Sequence, residues 1–297
     1  MVAPAVTRAG FVALAGRPNV GKSTLVNAIV GGKVAIVSDK PQTTRRAIRG
    51  VATSDRAQLV LVDLPGVQRP RDALTTRMQR RVESELAGSD AALFVISGEQ
   101  GIGPGDRFIA GALREAAVPV VVAVNKVDRL DRARTLQALE QAAALDVGDD
   151  VFPVSARTGR GVAALRDHLA ALVPEGPFLF PAGERSDQPL EVTLAELVRE
   201  QVLRRTFQEI PHAVEVVIDE IERRGEVTAV RALVWVETES QKGILIGAGG
   251  RMIRAVGTAA RRELERELGT RVHLDLSVRV RRGWRADDAL LDRLGIE

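Results

Sequence analysis

The chain contains no cysteine and no tyrosine, and its 297 residues include only three histidines. The absence of cysteine excludes disulfides, thiolate metal centres and cysteine nucleophiles. The histidines, His168, His212 and His273, lie far apart in sequence without the spacing of metal ligands, so we interpret them as structural or surface residues. Aromatic residues make up 3% of the chain, which disfavours recognition of a ligand by many stacked rings.

Long hydrophobic runs are also lacking, since none approaches the about 20 residues that a membrane-spanning helix requires. The segment Val2–Ala15 is mostly small and apolar, but Arg8 interrupts it and it runs directly into a glycine-rich segment. We therefore do not interpret it as a secretory signal. A hydrophobic content of 45% is typical of a globular protein, and the length allows about two domains. We expect a cytoplasmic protein.

The first half of the chain alternates short apolar runs with amphipathic stretches. The predicted strands are Phe11–Ala15, Ile48–Ala52, Gln58–Val62, Ala91–Ile96, Val118–Val124 and Val151–Val154. The predicted helices include Thr76–Leu86, Arg107–Ala116 and Arg132–Leu145. Near-continuous Val, Ile and Leu runs indicate parallel strands that are covered on both faces. The pattern predicts a doubly wound α/β domain with a mostly parallel sheet and a ligand at the carboxyl ends of the strands.

A proline- and glycine-rich stretch, residues 174–189, separates this half from a different pattern. We interpret the stretch as a linker between a nucleotide-binding domain, residues 1–173, and a second domain, residues 190–297. The second domain is predicted to follow the order α-β-β-α-α-β, with a long helix over Arg251–Leu268 and a last strand over Arg271–Val280. This order indicates a smaller α+β domain.

Residues Gly16–Ser23 read Gly-Arg-Pro-Asn-Val-Gly-Lys-Ser and match the pattern GxxxxGK[ST]. A strand pattern precedes the segment and a helical pattern follows it, which distinguishes a P-loop from a chance match. Backbone N–H groups at such a helix start bind phosphate oxygens, Lys22 reaches the terminal phosphates, and Ser23 holds magnesium. The segment predicts a nucleoside triphosphate site.

Three further segments follow predicted strands at the same sheet edge. They are Asp63-Leu64-Pro65-Gly66, Asn125-Lys126-Val127-Asp128 and Ser155-Ala156-Arg157. Asp63 is placed to bind magnesium through water, and the Gly66 N–H to meet the γ-phosphate. The Asp128 carboxylate accepts hydrogen bonds from guanine N1–H and N2, whereas adenine would leave it unmet at a cost of about 1–3 kcal/mol. With Ala156 N–H as a donor to guanine O6, the segments predict GTP or GDP.

Between the P-loop and Asp63, the run Pro41–Arg46 contains two adjacent threonines. A threonine here reaches magnesium when the γ-phosphate is present and releases it after hydrolysis, which makes the loop a switch. We favour Thr44 over Thr43, although the spacing alone does not separate them. A second switch is predicted to begin at Val67 and to include Gln68–Asp72.

The complete predicted nucleotide site combines these segments. Its nucleotide-binding residues are Gly16, Arg17, Pro18, Asn19, Val20, Gly21, Lys22, Ser23, Thr24, Asp63, Leu64, Pro65, Gly66, Val67, Asn125, Lys126, Val127, Asp128, Ser155, Ala156 and Arg157. We assign catalytic roles to Lys22, Thr44 and Gly66, and magnesium to Ser23, Thr44 and Asp63.

In the second domain a GxxG segment lies between a short and a long predicted helix, and it resembles the loop of a KH domain of the second type. Such a loop packs against the backbone of four single-stranded nucleotides while a groove beside it reads bases. Residues 251–285 carry ten arginines against four acidic residues, and Arg261 and Arg262 are further candidate phosphate contacts. The predicted RNA-binding residues are Lys242, Ile246, Gly247, Ala248, Gly249, Gly250, Arg251, Ile253 and Arg254.

Two expectations concern this interface in detail. Base contacts are expected from the apolar Ile246–Ile253 groove and the second strand, Val227–Val236. Trp284 is predicted to cap the domain edge rather than to stack on a base, because a helix-like pattern follows it. The loop departs from the usual KH pattern, since the residues inside GxxG are Ala248 and Gly249 and neither is basic.

The P-loop form, the Gln-Thr-Thr-Arg switch, the Asp-x-Pro-Gly and Asn-Lys-x-Asp segments and the Ser-Ala ending together resemble the Era-type GTPases over nearly the whole chain. That resemblance implies GTP hydrolysis and binding of the 3′ end of 16S ribosomal RNA during maturation of the 30S subunit. It also implies slow turnover and potassium bound partly by Asn19, because Val67 stands where Ras-like enzymes place a water-orienting glutamine. Peripheral membrane contact is reported for the family, and a monomer is expected.

Two other functions are compatible with the same residues. One is a GTPase switch that acts on a protein partner, with the KH-like domain as an interaction module. The other is an RNA chaperone whose nucleotide site is only structural, which the intact hydrolytic segments disfavour. A preference for RNA over a neutral polymer across a salt series separates the first alternative from RNA binding.

Overall fold

A computed structural model describes residues 6–40, 42–66, 72–116, 118–148, 150–207 and 210–296. They form two compact units. The first contains the described residues of 1–35, 44–71 and 75–187, and the second those of 36–43, 72–74 and 188–297. The second unit therefore includes two short segments that precede its main part by more than a hundred residues.

The first unit alternates strands and helices. Its strands are β1 (Arg8–Ala15), β2 (Ile48–Thr53), β3 (Ala57–Asp63), β4 (Ala91–Ser97), β5 (Val120–Asn125) and β6 (Asp150–Pro153). Its helices are α1 (Lys22–Val30), α2 (Ala73–Ala87, whose first two residues belong to the second unit), α3 (Pro104–Glu115), α4 (Arg132–Ala143) and α5 (Val162–Leu172). Each predicted strand is confirmed with ends within about three residues, whereas the sequence pattern does not single out α5.

The sheet of the first unit has the order β2-β3-β1-β4-β5-β6. All neighbouring strands are parallel except β2, which pairs with β3 in the antiparallel direction. Successive β1 residues face opposite cores, with Val12 and Leu14 in one cluster and Ala13 and Ala15 in the other. Burial on both faces explains why these strands are continuous apolar runs.

The segment predicted as a linker is bound to the sheet of the first unit up to residue 187. Gln58, fully buried in β3, accepts from the Leu179 and Phe180 N–H groups at 2.7 and 2.9 Å and donates to Phe180 O at 2.9 Å. Farther along, Val51 N donates to Arg185 O at 2.8 Å. The segment thus satisfies backbone groups at the β2 edge instead of spanning solvent.

The second unit combines helices with a small sheet. Its elements are α6 (Leu190–Arg205), α7 (Ile210–Ala213), β7 (Glu215–Arg224), β8 (Val227–Val236), α8 (Glu239–Ile246), α9 (Arg251–Leu268), β9 (Arg271–Val280) and α10 (Asp288–Arg293). The hairpin β7–β8 is antiparallel and β8–β9 is parallel. Because parallel neighbours need a crossover connection, α8 and α9 together join β8 to β9. The predicted order is confirmed, with the added short helix α7.

Trp284 is fully buried, and its Nε1–H donates to Ala213 O at 3.0 Å. This placement confirms the structural interpretation and makes base stacking by Trp284 wrong, because neither face of the ring reaches solvent. Among the described residues, no helix combines the length and the apolar character that crossing a bilayer needs.

Candidate nucleotide-binding site and nucleic-acid interface

The P-loop runs from the end of β1 to the start of α1 and depends on left-handed backbone. Gly21, the residue before α1, has φ of 99°, and a Cβ there would lie 2.4 Å from Asn125 Nδ2. Asn19 also has a positive φ, 64°. The glycine therefore lets the loop approach the Asn125 side chain closely, in a conformation that a larger residue would resist.

Lys22 is buried, and its Nζ donates to Gly16 O at 2.9 Å and to Arg17 O at 3.2 Å. Burial lowers the pKa of Lys22 to about 8, and the Asp63 carboxylate acts in the opposite direction. A buried ammonium favours an anionic partner. The side chain therefore folds back over the loop and donates to two of its backbone carbonyls.

Three oxygen-bearing side chains converge beside Lys22. Ser23 Oγ donates to Asp63 Oδ2 at 2.6 Å, Thr44 Oγ1 donates to the same oxygen at 3.1 Å, and the two hydroxyls are 3.1 Å apart. Burial raises the pKa of Asp63 although Lys22, Ser23 and Thr44 act to lower it. Asp63 Oδ1 is buried without a hydrogen-bond partner among the described residues. Magnesium takes oxygen ligands, so this donor set fits it.

The two switch threonines differ in the structure. Thr43 Oγ1 donates to Lys40 O at 2.6 Å, whereas Thr44 Oγ1 lies within the Ser23 and Asp63 group. The geometry therefore favours Thr44, as the sequence analysis did. Pro41 of this run, Val67 and the remaining predicted second-switch residues up to Arg71 lie outside the described residues.

The residues before Thr44 contact α6 within the second unit. Val37 N donates to Glu200 Oε1 at 2.9 Å, and Arg199 Nη2 donates to Thr43 O. Arg199 is fully buried; its Nη2 is 2.6 Å from Glu196 Oε2, and its Nε is 4.0 Å from Glu215 Oε1. Burial lowers the pKa of Arg199, but the two carboxylates outweigh it and raise the pKa above its usual value. Sequence analysis missed these residues, because charged helical residues carry no motif.

The predicted base-binding segments meet at the ends of β5 and β6. Asn125 Nδ2 donates to Val20 O at 3.0 Å, which confirms that it ties this loop to the P-loop. Ser155 Oγ donates to Asp128 Oδ1 at 2.7 Å and fixes the carboxylate. Lys126 Nζ donates to Asn19 O at 2.8 Å. These contacts hold Asp128 beside the P-loop.

One detail differs from the expectation for this segment. The Ala156 N–H already donates to Asn125 Oδ1 at 3.0 Å, so it is not an uncommitted donor. Its contact with guanine O6 stays a prediction, and it requires the N–H to be shared or the Asn125 side chain to turn.

The other predicted nucleotide residues fall around the same loop. Gly66 packs on it, since a Cβ would lie 2.8 Å from Pro18. The Arg17 side chain is engaged elsewhere, because its Nε forms a 2.8 Å ion pair with the buried Asp106 and its Nη2 donates to Gly101 O. Val20, Leu64 and Val127 are buried, and Arg157 is exposed. The three buried residues belong to the hydrophobic cores of the first unit and offer no polar side chain to a nucleotide.

The GxxG loop connects α8 to α9. Gly247 has φ of 70°, and a Cβ there would lie 2.8 Å from Met252 Cβ, whereas Gly249 has φ of 61° with open space around it. The Ile246 residue is 36% exposed, and Lys242 Nζ forms an ion pair with Glu239 Oε2 at 3.6 Å. The loop is therefore a tight, glycine-dependent turn that presents backbone to solvent.

A groove with a cavity of about 650 Å³ begins at this loop. Its lining comes from α9, including Ile253, Arg254 and Arg261, and from residues 272–276 of β9. The expectation that β8 lines it is wrong, because β8 is the central strand and β9 is the edge of the sheet order β7-β8-β9. An apolar floor with flanking guanidinium groups fits single-stranded nucleic acid.

Comparisons with known proteins match both parts of the chain. The family model described as 50S ribosome-binding GTPase matches residues 11–126, and the KH domain model matches residues 209–285. GTPase Era of Mycobacterium bovis (strain BCG / Pasteur 1173P2) is 47% identical over 96% of this chain and 98% of its own length. GTPase Era of Mycobacterium avium (strain 104) is 48% identical over 97% and 98%.

Two solved structures match this fold with a TM-score of 0.94 and 33% sequence identity, and each match covers 98% of this chain and 99% of the other chain. One is Era in complex with MgGDPNP and nucleotides 1506–1542 of 16S ribosomal RNA. The other is a single-residue variant of Aquifex aeolicus Era bound to GDP and aluminium fluoride.

Proposed function

The chain belongs to the Era family of GTPases, and from this premise we propose that it is a GTP-hydrolysing switch that binds the 3′ end region of 16S ribosomal RNA and assists maturation of the 30S subunit. One observation carries the proposal: a P-loop with converging Ser23, Thr44 and Asp63 oxygens and a GxxG groove with flanking arginines occur in one chain. The first supports phosphate and magnesium binding, and the second supports single-stranded RNA.

In the proposed nucleotide site, Gly16–Thr24, Asp63–Val67, Asn125–Asp128 and Ser155–Arg157 bind GTP or GDP. Asp128, oriented by Ser155, selects guanine through its carboxylate. Ser23, Thr44 and Asp63 would hold magnesium, which neutralises charge on the β- and γ-phosphates when bound. Lys22 donates two of its three N–H groups to the Gly16 and Arg17 carbonyls, so the third would serve the terminal phosphates.

Hydrolysis is proposed to be slow without help, because the position after Gly66 is Val67 and no glutamine there orients the attacking water. We propose that Thr44 and the Gly66 N–H meet the γ-phosphate side of the site. Asn19 is proposed to help hold a potassium ion that supplies transition-state charge. Lys126 Nζ donates to the Asn19 backbone oxygen at 2.8 Å, which fixes this residue in the loop.

For the RNA site we propose that Gly247–Gly250 meet the phosphate backbone and that Ile246 and Ile253 face bases. Lys242, Arg251 and Arg254 would supply the positive charge that the loop itself lacks. For the domain boundaries we propose a GTP-binding domain over 1–173, a linker over 174–189 whose residues up to 187 lie along the sheet of the first unit, and a KH domain over 190–297. A monomer in the cytoplasm, where ribosomal subunits mature, completes the proposal, together with the peripheral membrane contact that the family resemblance implies.

The test is binding of an RNA that copies nucleotides 1506–1542 and of a scrambled RNA, measured by anisotropy over a salt series. The variants Gly249→Asp and Gly249→Asn form a matched pair, because the site tolerates a positive φ with Asp or Asn and has open space. We expect the wild type to bind the copied RNA more tightly than the scrambled RNA. The Gly249→Asp variant should weaken this binding at least tenfold more than Gly249→Asn, because only aspartate adds a negative charge beside the phosphates.

Equal binding of both RNAs, or none, would favour a protein partner instead and leave the GTPase assignment standing. Lys22→Ala, assayed in parallel for release of phosphate from GTP, should lose turnover.

A further inference from the structure

A second basic surface lies on α9, and it is formed by four guanidinium groups around a cavity of about 380 Å³. We name it the arginine cleft and define it by Arg205 of α6 together with Arg251, Arg254 and Arg262 of α9. Its floor consists of Ala255, Thr258 and Ala259. The small floor residues let a ligand backbone approach α9 closely.

The four arginines keep their charge available. Among the described residues, none of them forms an ion pair with a carboxylate, and the contacts that hold them are to neutral oxygens. Arg205 Nη1 donates to Gln201 O and Oε1 at 3.1 and 2.9 Å. Arg251 Nε donates to Ala248 O at 3.3 Å, and Arg254 Nη2 donates to Gly249 O at 2.9 Å. Each guanidinium has five N–H donors, so each retains donors for an anion.

The cleft and the RNA groove lie on different sides of α9 and share a border. Gly257 and Arg261 line only the groove, Arg262 lines only the cleft, and Arg254 and Thr258 line both. Arg261 and Arg262 are adjacent in sequence, and only the structure assigns them to different surfaces. A strand that leaves the groove across Arg254 would therefore enter the cleft directly.

We propose that the arginine cleft binds the sugar–phosphate backbone of a second segment of the RNA strand whose bases lie in the groove. The inference rests on the proposed RNA-binding function. Arg251 and Arg262 are separated by eleven helical rises, about 16.5 Å, and this length suits a polyanion better than one small anion. The residues that line the cleft include no aromatic side chain to stack on a base, so we assign its contacts to phosphate and sugar, which carry no sequence information.

The test compares two RNAs, a short one of about four nucleotides that fills only the groove and the copy of nucleotides 1506–1542. The cleft variant is Arg205→Gln with Arg262→Gln, neither of which lines the groove. Its matched control is Arg224→Gln with Arg266→Gln, which removes the same charge from exposed residues that pair with Glu222 and Glu263. Dissociation constants are measured by anisotropy between 0.05 and 0.25 M salt.

For the long RNA, the cleft variant loses two phosphate contacts, and each contributes about 0.7 to the slope of log K against log salt, so the magnitude of the slope falls by roughly 1.4. If the variant and the wild type bind equally at 1 M salt, the variant binds roughly 65-fold more weakly at 0.05 M and about sevenfold more weakly at 0.25 M. The short RNA should bind the cleft variant as it binds the wild type, and the control variant should retain the wild-type slope for both RNAs.

An unchanged slope for the long RNA would overturn the inference, and so would equal weakening of the short RNA, which would place both arginines at the groove. Failure of the wild type to bind either RNA is a different result, since it would overturn the proposed function itself.

Discussion

Replacing Arg199 by methionine should destabilise the second unit strongly, because the guanidinium joins three acceptors in a region closed to solvent. Its Nε and Nη2 lie 3.0 and 2.6 Å from the two Glu196 oxygens, Glu215 Oε1 lies 4.0 Å from Nε, and Thr43 O accepts from Nη2. Both carboxylates stay buried after the change. Removing one partner of a buried ion pair costs about 3–5 kcal/mol.

Urea unfolding followed by tryptophan fluorescence measures this cost selectively. The chain has two tryptophans, Trp235 in β8 and the buried Trp284, and both belong to the second unit. With a slope of about 1.5 kcal/mol per M, a loss of 3 kcal/mol lowers the unfolding midpoint by about 2 M. Adding Glu196→Leu should restore part of the loss, since a buried pair replaced by apolar residues is often neutral.

The pair Glu263 and Arg266 on α9 supplies a matched control, because it has the same i, i+3 order but Arg266 is 70% exposed. Arg266→Met should cost less than about 1 kcal/mol. If Arg199→Met unfolds at the same urea concentration as Arg266→Met, the buried charges around Arg199 do not stabilise the unit and the reasoning is wrong.

Two further substitutions and one change of salt test individual contacts of the nucleotide site and of the second unit. Asp128→Asn should weaken GTP binding by about 10- to 100-fold, because the amide cannot accept from both guanine donors; unchanged affinity in a labelled-nucleotide titration would refute guanine selection by this carboxylate. Trp284→Phe should lower the free energy of unfolding by about 1–3 kcal/mol, since Ala213 O loses its indole donor. The fluorescence of Trp235 reports the urea midpoint of unfolding, which should fall, and an unchanged midpoint would contradict this role. Replacing potassium by sodium should lower kcat for GTP, and equal kcat in both salts would reject the ion site at Asn19.

The sequence was informative where a local motif follows a strand. The P-loop and the Asp63 and Asn125 segments need specific residue types at parallel strand ends, so their meeting at one sheet edge could be predicted. The same applies to α9 and β9, whose predicted bounds are confirmed because a glycine lies directly before α9 and another separates the two elements.

Other features depend on contacts between residues far apart in sequence. The order α-β-β-α-α-β does not determine which strand forms the edge of the sheet, and the pattern therefore favours β8 for the groove although β9 lines it. A buried glutamine such as Gln58 carries no pattern that predicts its backbone partners at 179 and 180. Nor does any local pattern place residues 36–43 against α6, where Arg199 and Glu200 bind their backbone.

The central claim is that one chain uses its guanine nucleotide state to control RNA binding. It is tested most directly by titrating the RNA copy of nucleotides 1506–1542 into the wild-type protein loaded with a non-hydrolysable GTP analogue and, separately, with GDP. The account predicts sequence-dependent binding whose affinity differs between the two nucleotide states. Equal affinity with both nucleotides would contradict the switch, and absence of binding with either would contradict the RNA site.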